Sequence, residues 1–282
     1  MTALRGKPKP CKICGKIRQP HCQYCPRCKR LIGKGKNKRL RVIALKKAWN
    51  AAADGFLCWY TGVKLEEHDT NSPWYITYDH VIPRSTKGGF VACAYFVNNM
   101  KSDLSGSEFW AVVMEFDRHV NGAPFNADIV KFDHWTRRGF KERPLRAAGP
   151  VRYYKVDHCD ICGAPPVKNA KYCARCKKRW LHFPGRVRAM KAAWCKEKNG
   201  FLDHYLGIVV DEENLDSPYY VVFDHRIPRK KGDLVLTCML VNAMKGDMSE
   251  DEFYLMMNEL ARHREGKVFD REVIKFEYWK RW

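Results

Sequence analysis

The chain's 282 residues are enough for about two domains of ordinary size, and its 52 Lys and Arg against 31 Asp and Glu give a formal net charge of +21. Cations spread from end to end favour a polyanionic partner, nucleic acid foremost, and no apolar run approaches the ~20 residues of a membrane helix. Thirteen cysteines would suggest a disulfide scaffold in a short secreted chain, but the start MTALRGKPKP is basic and has no apolar core. Reduced thiols and a soluble protein are therefore expected, in a prokaryotic or phage-infected cytoplasm or an organelle matrix.

In chain order, CKIC (11–14) and YCPRC (24–28) come first, with ten residues between Cys14 and Cys25. Two Cys-x2-Cys turns at this spacing bring the thiolates of Cys11, Cys14, Cys25 and Cys28 tetrahedrally around one Zn²⁺, which leaves no open position and makes the site structural. Such a knuckle would hold Arg27, Lys29 and Arg30 in place. The Ala, Lys and Arg-rich stretch 37–55 predicts a helix closed by Gly55. FLCWYTG and PWYITYDH then predict two β-strands, the second ending in Asp79-His80. A short helix is expected over the Asn98 to Lys101 segment, and a longer one from SGSEF to near Gly122.

The same order then returns. CDIC (159–162) and YCARC (172–176) repeat the ten-residue spacing, so Cys159, Cys162, Cys173 and Cys176 predict a second structural zinc. Trp194 stands 31 residues before His225, as Trp49 does before His80, and VNNMKSD (97–103) and IVKFDHW (129–135) match VNAMKGD (241–247) and VIKFEYW (273–279). A helix closed by Gly200, strands ending in Asp224-His225, a short helix at Asn242 and a helix capped by Ser249 with Glu252 are expected. A repeat of this length is too long for a solenoid. The chain therefore reads as two α+β modules, 1–140 and 157–282, joined by a Pro- and Gly-containing linker at 141–156.

Asp-His at a strand end, Pro three residues later and Asn heading a short helix form a specific pattern. Each module resembles the HNH endonucleases, the ββα-metal or His-Me finger family. The matching residues are Asp79, His80, Pro83, Asn98, Lys101 and Asp103, and then Asp224, His225, Pro228, Asn242, Lys245 and Asp247; CWYTGVKL (58–65) resembles the family's lead-in. The resemblance implies a phosphodiester hydrolase in which His80 and His225 are general bases. Asp79 with Asn98, and Asp224 with Asn242, would each hold one Mg²⁺ or similar divalent ion. These types suit the task, since a neutral imidazole takes a water's proton near neutral pH and hard oxygen ligands suit Mg²⁺.

The position that orients the histidine in the family is Gly89 in the first copy and Asp233 in the second, so Asp233 is expected to hold the imidazole as a carboxylate does in a catalytic triad. Arg84, Lys101, Arg229 and Lys245 beside the motif, and Arg39, Arg41, Arg186 and Arg188 on the helices, are the expected DNA contacts. His119 and His263, alone on the long helices, read as structural. With zinc knuckles attached, the chain resembles homing endonucleases of phages or introns, a monomeric pseudo-dimer acting on duplex DNA. Two other readings stay open. One is a structure-selective junction-resolving nuclease, and the other a non-catalytic zinc-dependent nucleic-acid-binding protein on degenerate nuclease folds.

Overall fold

The computed structural model describes residues 9–136, 156–168, 170–177 and 184–280. The expected linker lies outside the described residues except for Val156, as do Lys178 and Arg179 beside the second knuckle. Among the described residues the fold mixes eight helices with four two-stranded antiparallel sheets. In the first half the order is α1 (Pro26–Ile32), α2 (Lys38–Ala48), β1 (Trp49–Asn50), β2 (Gly55–Phe56), β3 (Ile76–Ile82), β4 (Ser85–Ala94), α3 (Tyr95–Lys101) and α4 (Gly106–Val120). In the second it is α5 (Ala174–Lys177), α6 (Pro184–Ala193), β5 (Trp194–Cys195), β6 (Gly200–Phe201), β7 (Val221–His225), β8 (Leu234–Cys238), α7 (Met239–Lys245) and α8 (Glu250–Arg264). No helix among the described residues is long and apolar enough to cross a membrane.

Two expectations need correcting. The helix α2 stops at Ala48, because Trp49 turns extended (φ −67°, ψ 126°) to pair with Phe56, and Gly55 is a strand residue rather than a helix end. A Cβ at Gly200 would lie 2.6 Å from Val209, so that site needs glycine for lack of room, whereas at Gly55 the near atom is Cε of the flexible Lys64, which can move aside. The second correction concerns the sheet at Asp79-His80. Its partner strand follows the motif instead of preceding it: β3 pairs with β4, setting Asp79 against Val91 and His80 against Phe90. FLCWYTG contributes only the end of β2 and then a turn, in which the Cys58 N–H meets the Val63 carbonyl. The sequence STKGG hid β4, since glycine depletes strand propensity, although the FVACA end is buried.

The hairpins turn on a proline followed by a left-handed arginine. Arg84 has φ +58° after Pro83, and Arg229 has φ +66° after Pro228. Proline followed by a positive φ is a type II turn pattern that normally takes glycine. Arg84 is held there by a 2.7 Å ion pair with buried Asp103, and Arg229 lies 3.6 Å from Asp247.

The chain forms two compact units, and neither is a continuous module: one is Met1–Val113 with Leu255–Trp282, the other Met114–Tyr254. Each boundary falls inside a helix, α4 or α8. In the first unit, Phe276 from the end of the chain packs 5.1 Å from Phe96 and 5.9 Å from Trp74, and Trp279 donates its indole N–H to the Asn71 carbonyl at 2.9 Å. In the second, the tail of the first copy takes the matching place: Phe132 lies 5.6 Å from Tyr219, whose hydroxyl donates to the Ala127 carbonyl at 2.8 Å. The repeated IVKFDHW and VIKFEYW segments thus complete the core of the unit that holds the other copy's hairpin.

The long helices begin with the reciprocal caps that their sequences encode. Ser249 N–H meets Glu252 Oε2 at 2.9 Å while Glu252 N–H meets Ser249 Oγ at 3.3 Å, and Ser105 with Glu108 does the same. His119 and His263 each bond a backbone carbonyl just past the helix end, Ala123 and Lys267, as their structural reading implies.

Candidate metal centres and hairpin–helix sites

Each cysteine quartet converges. The sulfurs of Cys11, Cys14, Cys25 and Cys28, and those of Cys159, Cys162, Cys173 and Cys176, all lie within 4.8 Å of one another. Separations of 3.6 Å (Cys14–Cys25), 3.5 Å (Cys162–Cys173) and 3.7 Å (Cys162–Cys176) fit the edge of about 3.8 Å that follows from four Zn–S bonds of about 2.3 Å in a tetrahedron. The turns build this locally. Gly15 and Gly163 take φ +71° and +74°, returning their N–H groups to the carbonyls of Cys11 and Cys159, while Cys25 caps α1 ahead of Pro26. Burial raises the Cys11 thiol, but backbone N–H groups of Cys14, Cys25 and Ile13 outweigh it and bring it to about 6; Cys159 is held at about 7 likewise. Burial pushes Cys28 and Cys176 upward. The donor set suits structural zinc in both places.

Arg27, one of the basic residues the knuckle was expected to hold in place, faces inward. Its guanidinium lies 5.1 Å from the Trp49 ring and 5.4 Å from Phe56, and it holds Glu67 through Nε at 2.6 Å and through Nη2. Arg175 repeats this on Trp194, Phe201 and Glu212. These arginines fasten each knuckle to the strand pair behind it, and the matched Trp residues are their platforms.

At the hairpin–helix sites, Asp79 and His80 face opposite sides of β3. Asp79 is 4% exposed and accepts from the Tyr60 hydroxyl at 2.6 Å and from Lys101 Nζ at 3.1 Å. Lys101 also reaches the His80 carbonyl at 3.3 Å. The second copy repeats the arrangement: Asp224 takes the Tyr205 hydroxyl at 3.0 Å and Lys245 at 3.0 Å, and Lys245 reaches the His225 carbonyl at 2.8 Å. Burial pushes both aspartates above the usual carboxylate range, and the neighbouring ammonium opposes it. Burial together with the adjacent carboxylate raises Tyr60 and Tyr205, which stay protonated donors.

This geometry corrects one expectation. Lys101 and Lys245 are at most 1% exposed, so they neutralise a buried aspartate and pin the backbone of the histidine instead of meeting a phosphate. Tyr60 and Tyr205 are the members that motif reading missed. Their signal was present, since each lies 19 residues before its aspartate.

His80 and His225 are half-buried, as are Asn98 and Asn242 on the first turns of α3 and α7. The His80 ring stands edge-on to Phe90 at 4.6 Å. Asp233 does not take the role expected of it: its carboxylate accepts from the Ile227 N–H at 3.3 Å and lies 3.4 Å from Arg226, closing the hairpin turn. Gly89, its counterpart, has φ +78° in a hairpin that runs longer and bulges between His80 and Ile82.

The remaining cations divide. Arg39 and Arg188 are exposed on α2 and α6. Arg41 turns back to the Ile32 carbonyl at 3.0 Å with its guanidinium 5.4 Å from the Tyr78 ring, and Arg186 lies 5.2 Å from Phe223. Those two pack α2 and α6 onto the hairpins and present little to a ligand.

No family model, curated protein or solved structure was found to match the chain.

Proposed function

We propose that the chain is a metal-dependent DNA endonuclease of the HNH type, hydrolysing phosphodiester bonds with two hairpin–helix sites in one chain and acting at a specific site, as homing enzymes do. The observation that carries this reading is the recurrence, in both halves, of a half-buried His in the first hairpin strand and a half-buried Asn on the helix after the hairpin. In both copies the residue before that His is a buried aspartate locked by Tyr and Lys. Nothing in a knuckle or a hairpin requires that set twice.

The oxygen donors suit a hard cation. A carboxylate offers about four lone-pair directions, of which Tyr60 and Lys101 take two at Asp79, and the Asn98 amide adds another oxygen donor. Lys101 already balances the aspartate's charge, so an ion held by Asp79 and Asn98 would depend on substrate phosphate for the rest of its neutralisation, which suits Mg²⁺. When bound, such an ion supplies charge stabilisation to the phosphate and the leaving oxygen. His80 and His225 serve as bases toward water. The hydrogen bonds from Lys101 and Lys245 to their carbonyls fix the strand ends that aim the imidazoles. Arg39, Arg84, Arg188 and Arg229 are the exposed cations that would meet DNA phosphates. Two sites in one chain suit the two strands of a duplex.

The test is cleavage of supercoiled and linear DNA with Mg²⁺ by the parent, His80→Ala, His225→Ala and the double variant. The expected pattern is linearisation by the parent, nicking by each single variant and no cleavage by the double. Intact DNA and RNA with the zinc-loaded parent would favour a non-catalytic binding protein instead.

A further inference from the structure

Beside the first hairpin lies a groove of about 390 Å³ lined by Leu40, Ile43 and Lys47 of α2, by Trp59, and by Val81 and the Thr86–Val91 segment of the hairpin. Its floor and rim are unusually apolar for a protein surface this cationic: Trp59 is 60% exposed, Ile43 41% and Val81 38%. Exposed apolar surface grouped in this way marks an interaction site. Trp59 is held rigidly for the purpose. Its backbone N–H donates to the Ala92 carbonyl of β4 at 3.0 Å, inside the turn closed by Cys58 and Val63, while its indole points outward with no ring or hydrogen-bond partner among the described residues.

Two exposed lysines, Lys47 and Lys87, line the same groove. Gly88 and Gly89 add no side chains to its hairpin side. An exposed aromatic ring in a groove that two lysines also line matches the chemistry of an unpaired nucleotide, whose base stacks on the ring while its phosphates meet ammonium groups. The groove also adjoins the candidate site. Phe90, one of its walls, is the cross-strand partner of His80 and touches its ring, and Val81 is the next residue in β3.

The second copy lacks the feature. His204 stands at the position of Trp59 and pairs with Glu250 at 2.8 Å. Arg226 stands at that of Val81 and pairs with Glu250 at 3.1 Å and Asp233 at 3.4 Å. The exposed tryptophan is therefore a feature of the first copy, and ion-paired side chains stand at the matching positions of the second.

We propose that this groove is a subsite for one unpaired nucleotide of a nucleic-acid strand, its base stacked on Trp59 and its flanking phosphates on Lys47 and Lys87. The inference rests on the nucleic-acid reading above and makes the two halves unequal: the first captures a strand opened beside its cleavage site, and the second does not.

The experiment measures binding of the full zinc-loaded chain to a fluorescein-labelled thymidine oligonucleotide and to a duplex by anisotropy, as a function of salt. Trp59→Ala is expected to weaken single-strand binding about 5- to 150-fold with the salt slope unchanged, whereas Trp59→Phe retains most of the affinity and His204→Ala all of it. Lys47→Ala and Lys87→Ala should each lower the single-strand salt slope by about 0.7. Trp59 is exposed, so its variants should fold, which unchanged zinc content and melting would verify. If the parent binds DNA and Trp59→Ala binds equally well, the subsite is overturned while the nucleic-acid reading stands. The subsite is likewise overturned if Trp59→Ala changes only self-association in sedimentation, which would make the groove a protein contact. A parent that binds no nucleic acid overturns both.

Discussion

Replacing Phe276 with Ala should loosen the hairpin that carries His80, although the two lie near opposite ends of the sequence. The Phe276 ring is 8% exposed and contacts Phe96 at 5.1 Å, Trp279 at 5.6 Å and Trp74 at 5.9 Å. Truncating a phenylalanine buried this well removes its transfer free energy and leaves a cavity, at a cost of about 3–5 kcal/mol. The residual exposure favours the lower half of that range. Hydrogen exchange read by mass spectrometry would resolve where the loss falls. About 3 kcal/mol corresponds to roughly a hundredfold faster exchange in the cooperative unit affected. That acceleration is expected in the segment 74–101, with 219–245 unchanged. Phe132→Ala is the mirror experiment: it should act on 219–245 by a smaller amount, because Phe132 is only half-buried against Tyr219. If Phe276→Ala instead loosens 219–245 and spares 74–101, each tail serves its own module and the division into units is wrong.

Three further outcomes are expected. Lys101→Met should cost about 3–5 kcal/mol in urea unfolding by leaving Asp79 buried without its counter-charge, and adding Asp79→Asn should recover most of it; a neutral single variant would refute the buried pair. Elemental analysis should find two zinc ions per chain and one in Cys14→Ser, and an unchanged count in that variant would exclude the quartet as the site. The third concerns pH. Arg118 and the Asn126 N–H hold the Glu115 carboxyl below its ordinary 4.5, Arg118 contributing most. A depressed carboxyl contributes stability above pH 4.5 that is lost as pH falls through the lower folded value. Protection of the Asn126 amide should therefore decline in that window, and Glu115→Gln should remove the dependence; a profile identical in both chains would show that Glu115 does not anchor the tail.

The cysteine quartets were legible in sequence because ligand spacing within a short turn is a local property, and two turns suffice to gather four sulfurs. The short helices bearing Asn98 and Asn242 and the capping box at Ser249 were legible for the same reason. Local patterns failed where partners come from afar. The strand β4 was hidden because its glycines suppress strand propensity and its pairing with β3 supplies the stabilisation. Lys101, Lys245 and Arg41 read as DNA contacts and Arg27 as one of the knuckle's basic residues, since charge in a sequence carries no information about burial. Only the approach of Asp79, Asp224, Glu67 and the Tyr78 ring turned them inward.

What the sequence by itself determined is the pair of cysteine quartets, each written within one short stretch, and the matched spacing of the two halves. Tertiary structure alone decided which copy's tail completes which core, because the two tails, IVKFDHW and VIKFEYW, carry the same pattern of apolar and aromatic residues. Their destination depends on where α4 and α8 deliver them. It also decided that Trp59 lies exposed beside lysines while its counterpart His204 is tied into an ion-pair cluster, a difference set by neighbours from three separate segments.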